Sequence, residues 1–108
     1  MDGKRFEISA LLDTYGALLS ARQRDVLDLY YNGDLSLAEI AEDTGITRQG
    51  VRDALKKGEA ELLDYEEKLG FRGKVLHLRG YAEKLKELAF RSGDAELMAI
   101  AEGLGAEF

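Results

Sequence analysis

The sequence predicts an all-α protein built around a helix-turn-helix, and three observations carry that expectation. Proline is absent from all 108 residues, and the alternating Val, Ile or Thr runs from which strands grow are missing. Apolar residues recur at three- and four-residue intervals along most of the chain, which gathers them on one face of each helix. Two pairs, Ser20 with Gln23 and Ser36 with Glu39, stand just ahead of such stretches, where a capping box opens a helix.

Taken in order, Ile8, Leu11, Leu12, Tyr15, Leu18 and Leu19 place a first amphipathic helix near residues 4 to 19. Ser20 opens a second over 21 to 31, with Val26, Leu27, Leu29 and Tyr30 as its buried stripe. "NGD" at 32 to 34 ends it, because Asn and Gly tolerate left-handed backbone angles. Ser36 opens a short helix that buries Leu37, Ile40 and Ala41 and stops at Gly45. Thr47 caps the fourth, where Val51, Leu55, Gly58, Leu62, Tyr65 and Leu69 alternate spacings of four and three, the seam of a coiled-coil-like contact. "GFRG" at 70 to 73 breaks that helix. A fifth segment carries Val75, Leu78, Ala82, Leu85 and Ala89 on one face, "SGD" at 92 to 94 ends it, and a last short helix holds Leu97, Met98, Ile100 and Leu104. The organisation expected is a helix-turn-helix DNA-binding unit over 1–58 and a C-terminal helical extension over 59–108 for packing and dimerisation, one compact unit overall.

Composition excludes several classes of function. There is no cysteine and a single His77, too few soft ligands for a structural zinc site or an iron–sulfur cluster, so no metal or other cofactor is expected. The first residues, "MDGKRFEISALLDTYG", lack the apolar run of a signal peptide and no stretch approaches a membrane span, which makes a cytoplasmic location the expectation. A formal net charge of -6 argues against a protein that coats nucleic acid non-specifically, but a local basic surface remains compatible with it.

Such a surface lies in "SLAEIAEDTGITRQGVRDALKK", residues 36 to 57. A helix-turn-helix needs a small residue at the helix contact, a residue comfortable in a left-handed turn, and branched apolar residues that lock the helices at a steep angle. Ala41, Gly45, and the trio Ile40, Ile46 and Val51 meet those needs jointly. On the second helix Arg48, Gln49, Arg52, Asp53 and Lys56 point outward, and residues 47 to 57 hold four basic residues against one acid, a local balance of +3. In a major-groove docking Arg48, Gln49 and Arg52 are the base-reading candidates, since Arg pairs bidentately with guanine and Gln with adenine. Thr47, Lys56 and Lys57 are the phosphate candidates. RNA is less favoured, because the Tyr and Phe residues fall mostly on apolar faces rather than forming a stacking platform.

These residues carry a family resemblance. "LLSARQRDVLDLYYNGDLSLAEIAEDTGITRQGVRDALKKGEAEL" resembles the promoter-reading region 4 of bacterial sigma factors, a fold without a wing. More closely, residues 11 to 70 resemble the YlxM family of small bacterial proteins, with "DLYYNGDLSLAEIAE" and the following "TRQGV" as the specific part. The resemblance implies a helix-turn-helix DNA-binding role, with the reading positions falling on Thr47, Arg48, Gln49, Val51 and Arg52. Because YlxM genes lie beside that of the signal recognition particle GTPase, it also implies a regulatory link to that secretion pathway and a protein partner within it. Gly50, where the family usually has Ala, and Gly58 depart from the pattern and are expected to loosen the helix. Beyond Gly73 the resemblance weakens.

Two rival classes stand beside DNA binding. An enzyme is disfavoured: the carboxylates of Glu39, Glu42, Asp43, Glu66 and Glu67 sit on helix faces with no sign of a pocket, and Gly70, Gly73 and Lys74 do not have the spacing of a phosphate-binding loop. A protein-interaction module that keeps the helix-turn-helix as architecture is the stronger rival, because "EAELLDYEEKLG" at 59 to 70 carries five acids against one lysine, a surface that repels phosphate. Either reading accommodates a homodimer, for Leu62, Tyr65, Leu69, Val75, Leu78, Leu85 and Leu88 offer more apolar stripe than one hairpin buries.

Overall fold

The computed structural model describes residues 3–108. The elements are α1 (Gly3–Tyr15), a 3₁₀ turn (Gly16–Leu18), α2 (Ala21–Tyr31), α3 (Leu37–Thr44), α4 (Arg48–Leu69), α5 (Phe71–Ser92) and α6 (Ala95–Ala106). No strand occurs among the described residues, and none of their helices is long and apolar enough to cross a membrane.

Local chemistry sets the helix starts. Both capping boxes form: Ser20 Oγ accepts from the Gln23 N–H at 3.2 Å and Ser36 Oγ from the Glu39 N–H at 3.1 Å, while each partner side chain accepts the serine N–H in return. Thr47 Oγ1 accepts from the Gly50 N–H at 2.9 Å, and the Asp94 carboxylate caps α6 from the Glu96 and Leu97 N–H groups. Each of these oxygens meets N–H groups that the helix itself cannot satisfy.

The chain forms two compact units, one ending at Gly70 and the other spanning Phe71–Phe108. The division at residue 58 drawn from the sequence falls inside α4, whose Leu62 is fully buried in the same core as the preceding helices. In the first unit α4 packs against α1, α2 and α3. Ile8, Leu11, Leu27, Ile40, Val51 and Leu62 form the centre of this core. Where α2 meets α4, Gly58 is buried: a Cβ there would lie 2.5 Å from Leu27 Cδ1. The glycine that departs from the family pattern is therefore a close-contact point between helices.

Three local expectations shift. The first helix ends at Tyr15 instead of 19, and the tighter 3₁₀ turn carries Leu18 off the apolar stripe to 56% exposure. In "NGD" the left-handed residue is Asp34, φ 58°, held by the Arg5 guanidinium at 2.9 Å. In "GFRG" only Gly70 leaves the helical conformation; α5 begins at Phe71 and incorporates Gly73.

In the second unit α5 and α6 form an antiparallel hairpin closed at its open end by Arg79 Nε donating to the Phe108 carbonyl at 2.8 Å. Its buried residues are Ala82, Ala89 and Ala101, whereas Leu78, expected inside, is exposed.

Candidate nucleic-acid interface

The α3–turn–α4 segment is built as its sequence implies. Ile40 and Val51 are fully buried and Ala41 and Ile46 half-buried. Gly45 ends α3 at φ 78°, its N–H bonded to the Ala41 carbonyl at 2.9 Å. A side chain at that φ would press Cβ on its own backbone, so the turn suits glycine. Two residues later Thr47, in extended conformation, launches α4.

All six residues proposed from the sequence are exposed: Thr47, Arg48, Gln49, Arg52, Lys56 and Lys57. At 100° per residue, Arg48, Gln49, Arg52 and Lys56 share one outward sector of α4, whereas Lys57 is exposed on a neighbouring face about 80° beyond Gln49. Among the described residues, neither a hydrogen bond nor an ion pair from another side chain engages Arg48, Arg52, Lys56 or Lys57. Their charge is therefore uncompensated by close contact. Gln49 differs, since its Nε2 donates to Asp53 Oδ1 at 2.9 Å; pairing with an adenine edge requires that bond to open. The Thr47 hydroxyl oxygen is occupied as a cap, which leaves its proton free to donate.

Sequence reasoning missed the wall opposite this sector. Gln49, Arg52 and Lys56 line a hollow of about 300 Å³ together with Lys4, Tyr30, Tyr31 and Glu59. The Tyr31 hydroxyl donates to Glu59 Oε1. Burial, then the Glu59 bond and charge, raise that hydroxyl's pKa well above its ordinary value, so it stays a donor. Lys4 Nζ lies 3.9 Å from the same carboxylate. Behind them the Arg5 guanidinium sits 5.2 Å from the Tyr30 ring centroid and 5.5 Å from that of Tyr31, and bonds the Tyr30 carbonyl at 2.6 Å. These pairings span from 25 residues, Arg5 to Tyr30, up to 55, Lys4 to Glu59, which no local pattern signals.

The acidic half of α4 is partly turned inward. Glu59 is held by Tyr31, Glu66 accepts from the Tyr15 hydroxyl at 2.6 Å, and Lys68 pairs with Asp64 at 2.9 Å. The hydrogen bond from Lys68 to Asp64 holds that lysine above its ordinary pKa. A larger hollow of about 670 Å³ in the same unit is lined by Asp13, Asp25 and Asp28 beside Arg24, the wrong charge for phosphate. Among the described residues no group of three or more His, Cys, Asp or Glu is placed to hold a metal ion, and His77 is exposed on α5.

The sequence model of the family described as "Putative helix-turn-helix protein, YlxM / p13 like", UPF0122, matches residues 2–100. The chain is 47% identical over 100 residues to a UPF0122 protein of Acetivibrio thermocellus, covering 92% of this chain and 84% of that one. It is 45% identical over 104 residues to a UPF0122 protein of Clostridium botulinum, covering 93% and 94%. A UPF0122 protein of Clostridium kluyveri is 58% identical over 66 residues, 61% of this chain and 60% of that one.

Proposed function

The chain belongs to the UPF0122 family of YlxM / p13-like helix-turn-helix proteins, and from that premise we propose that it binds double-stranded DNA selectively by laying the N-terminal half of α4 in the major groove. The observation that carries this reading is the exposed sector of α4, where Arg48, Arg52 and Lys56 stand unpaired directly after the tight turn at Gly45. Arg48 and Arg52 read base edges, Gln49 joins once released from Asp53, and Thr47, Lys56 and Lys57 hold phosphates. The reading needs no cofactor and no catalytic step, and it places the protein in the cytoplasm.

A homodimer belongs to the same reading, because one small module makes few contacts and twofold pairing presents two reading helices to two half-sites. A partner in the signal recognition particle pathway comes from the family resemblance alone. The interaction-module alternative is favoured by one observation, the exposed acids Asp64 and Glu67 further along α4.

Binding titrations over a range of salt separate these readings. Replacing Lys56 and Lys57 by Ala weakens binding to every duplex and reduces the salt slope by about 2. Arg48→Ala costs about 1–3 kcal/mol on the preferred duplex and little on others. Equal losses from both changes on every duplex would remove base reading, and no binding by the intact protein would favour the interaction module.

A further inference from the structure

We propose that the α5–α6 hairpin is a homodimerisation module, in which a second copy of this chain covers its apolar face and each α5 lies over the partner's α6. This deepens the DNA-binding reading, and its consequence for paired half-sites rests on that reading, whereas the surface itself does not.

The second unit is 38 residues long, 71 to 108, and the residues it buries are alanines. Below about 40 residues a fold ordinarily needs disulfides, a metal or oligomerisation, because too little of its surface can be buried. The chain has no cysteine, and the described residues gather no metal-ligating group. Association is what remains.

The apolar side chains that would supply the missing core are in register, Leu78, Tyr81, Leu88, Ile100 and Leu104 exposed and Leu85 and Leu97 half-buried. On α5, Leu78, Tyr81, Leu85 and Leu88 follow spacings of three, four and three, one step round the helix from the buried Ala82 and Ala89. Tyr81 is 68% and Leu88 57% exposed. On α6, Leu97, Ile100 and Leu104 form the equivalent stripe beside the buried Ala101. Both stripes are offset from the α5–α6 contact in the same rotational sense along the chain. In an antiparallel hairpin that brings them to one face, and the result is half of a four-helix bundle.

Charge selects the occupant. α5 carries six cations against two acids, a balance of +4, whereas α6 with its flanking Asp94 and Glu107 carries four acids and no cation. A second hairpin turned by a twofold axis can set α5 against the partner's α6, so each basic helix meets an acidic one and the interface is self-complementary. Setting α5 against α5 brings like charges together and is disfavoured by the same reasoning.

Sedimentation equilibrium of the full chain without DNA, over micromolar to 100 micromolar protein, tests the surface independently of DNA binding. The intact protein is expected to be dimeric. The double substitution Leu88→Ser with Ile100→Ser should raise the dimer dissociation constant by about 100-fold or more, with helical circular dichroism falling at the concentrations where the variant becomes monomeric. Phe90→Ser removes a side chain that is 76% exposed on α5 but off the stripe, and should leave the dimer intact. A monomeric intact protein, a double variant as dimeric as the parent, or a Phe90→Ser variant dissociated to the same degree would each overturn the proposal.

Discussion

Glu39 closes the capping box at the entry of α3, where its carboxylate accepts the Ser36 N–H at 3.0 Å. That backbone bond, followed by the bond with the Ser36 side chain, holds the carboxyl below its ordinary pKa. A folded-state pKa below the unfolded one contributes stability that is fully present above the unfolded value, about 4.3 for Glu, and is lost as pH falls through the lowered folded value. Glu39→Gln keeps an acceptor for the Ser36 N–H but cannot titrate. The loss of melting temperature between pH 7 and pH 3 is therefore expected to be smaller in this variant than in the parent; an equal loss would show that the box contributes no pH dependence. The residues that close caps and turns, Ser20, Ser36, Gly45 and Thr47, were legible because each acts on partners within four positions. The pairing of Lys4 and Tyr31 with Glu59 of α4 was not, since those two residues reach α4 only when distant segments pack.

Among the elements, the boundaries of α2 and α3 and the start of α4 follow the sequence, whereas α1 ends early and the α4–α5 break shrinks to Gly70. The difference has one cause: capped starts are written in local chemistry, but a helix end with no strong signal is decided by packing. Leu18, expected on a buried stripe, is 56% exposed for the same reason, while Leu69 is 57% exposed as the last residue of α4. Gly58 shows how packing reverses a propensity argument. In isolation Gly58→Ala favours the helix by about 1 kcal/mol, but its Cβ would strike the fully buried Leu27, and overpacking a core costs about 1–3 kcal/mol. A net destabilisation of about 1 kcal/mol, a fall of roughly 4–8 °C in melting temperature, is expected from calorimetry. A higher melting temperature would mean that α2 and α4 have room to separate.

At the scale of the whole molecule, the unit ending at Gly70 holds nine cations and fifteen acids, and Phe71–Phe108 holds six of each, so the entire net charge of -6 resides in the unit that bears the basic sector of α4. In the proposed DNA-binding reading, long-range steering is consequently weak, and affinity would have to come from contacts made at close range. That places the burden on Arg48 and Arg52, which face outward without partners in the fold. The helical class and the helix-turn-helix were legible from spacing; the partition into two units was hidden, because α4 continues unbroken past the residues that complete the motif. The most direct measurement is a selection from random duplex DNA at near-physiological salt, with the intact protein beside an Arg48→Ala, Arg52→Ala variant. Enrichment of a defined site by the intact protein, lost in the variant, is the predicted result; a folded protein that enriches no sequence, or a variant that enriches the same site equally well, would contradict base reading by α4.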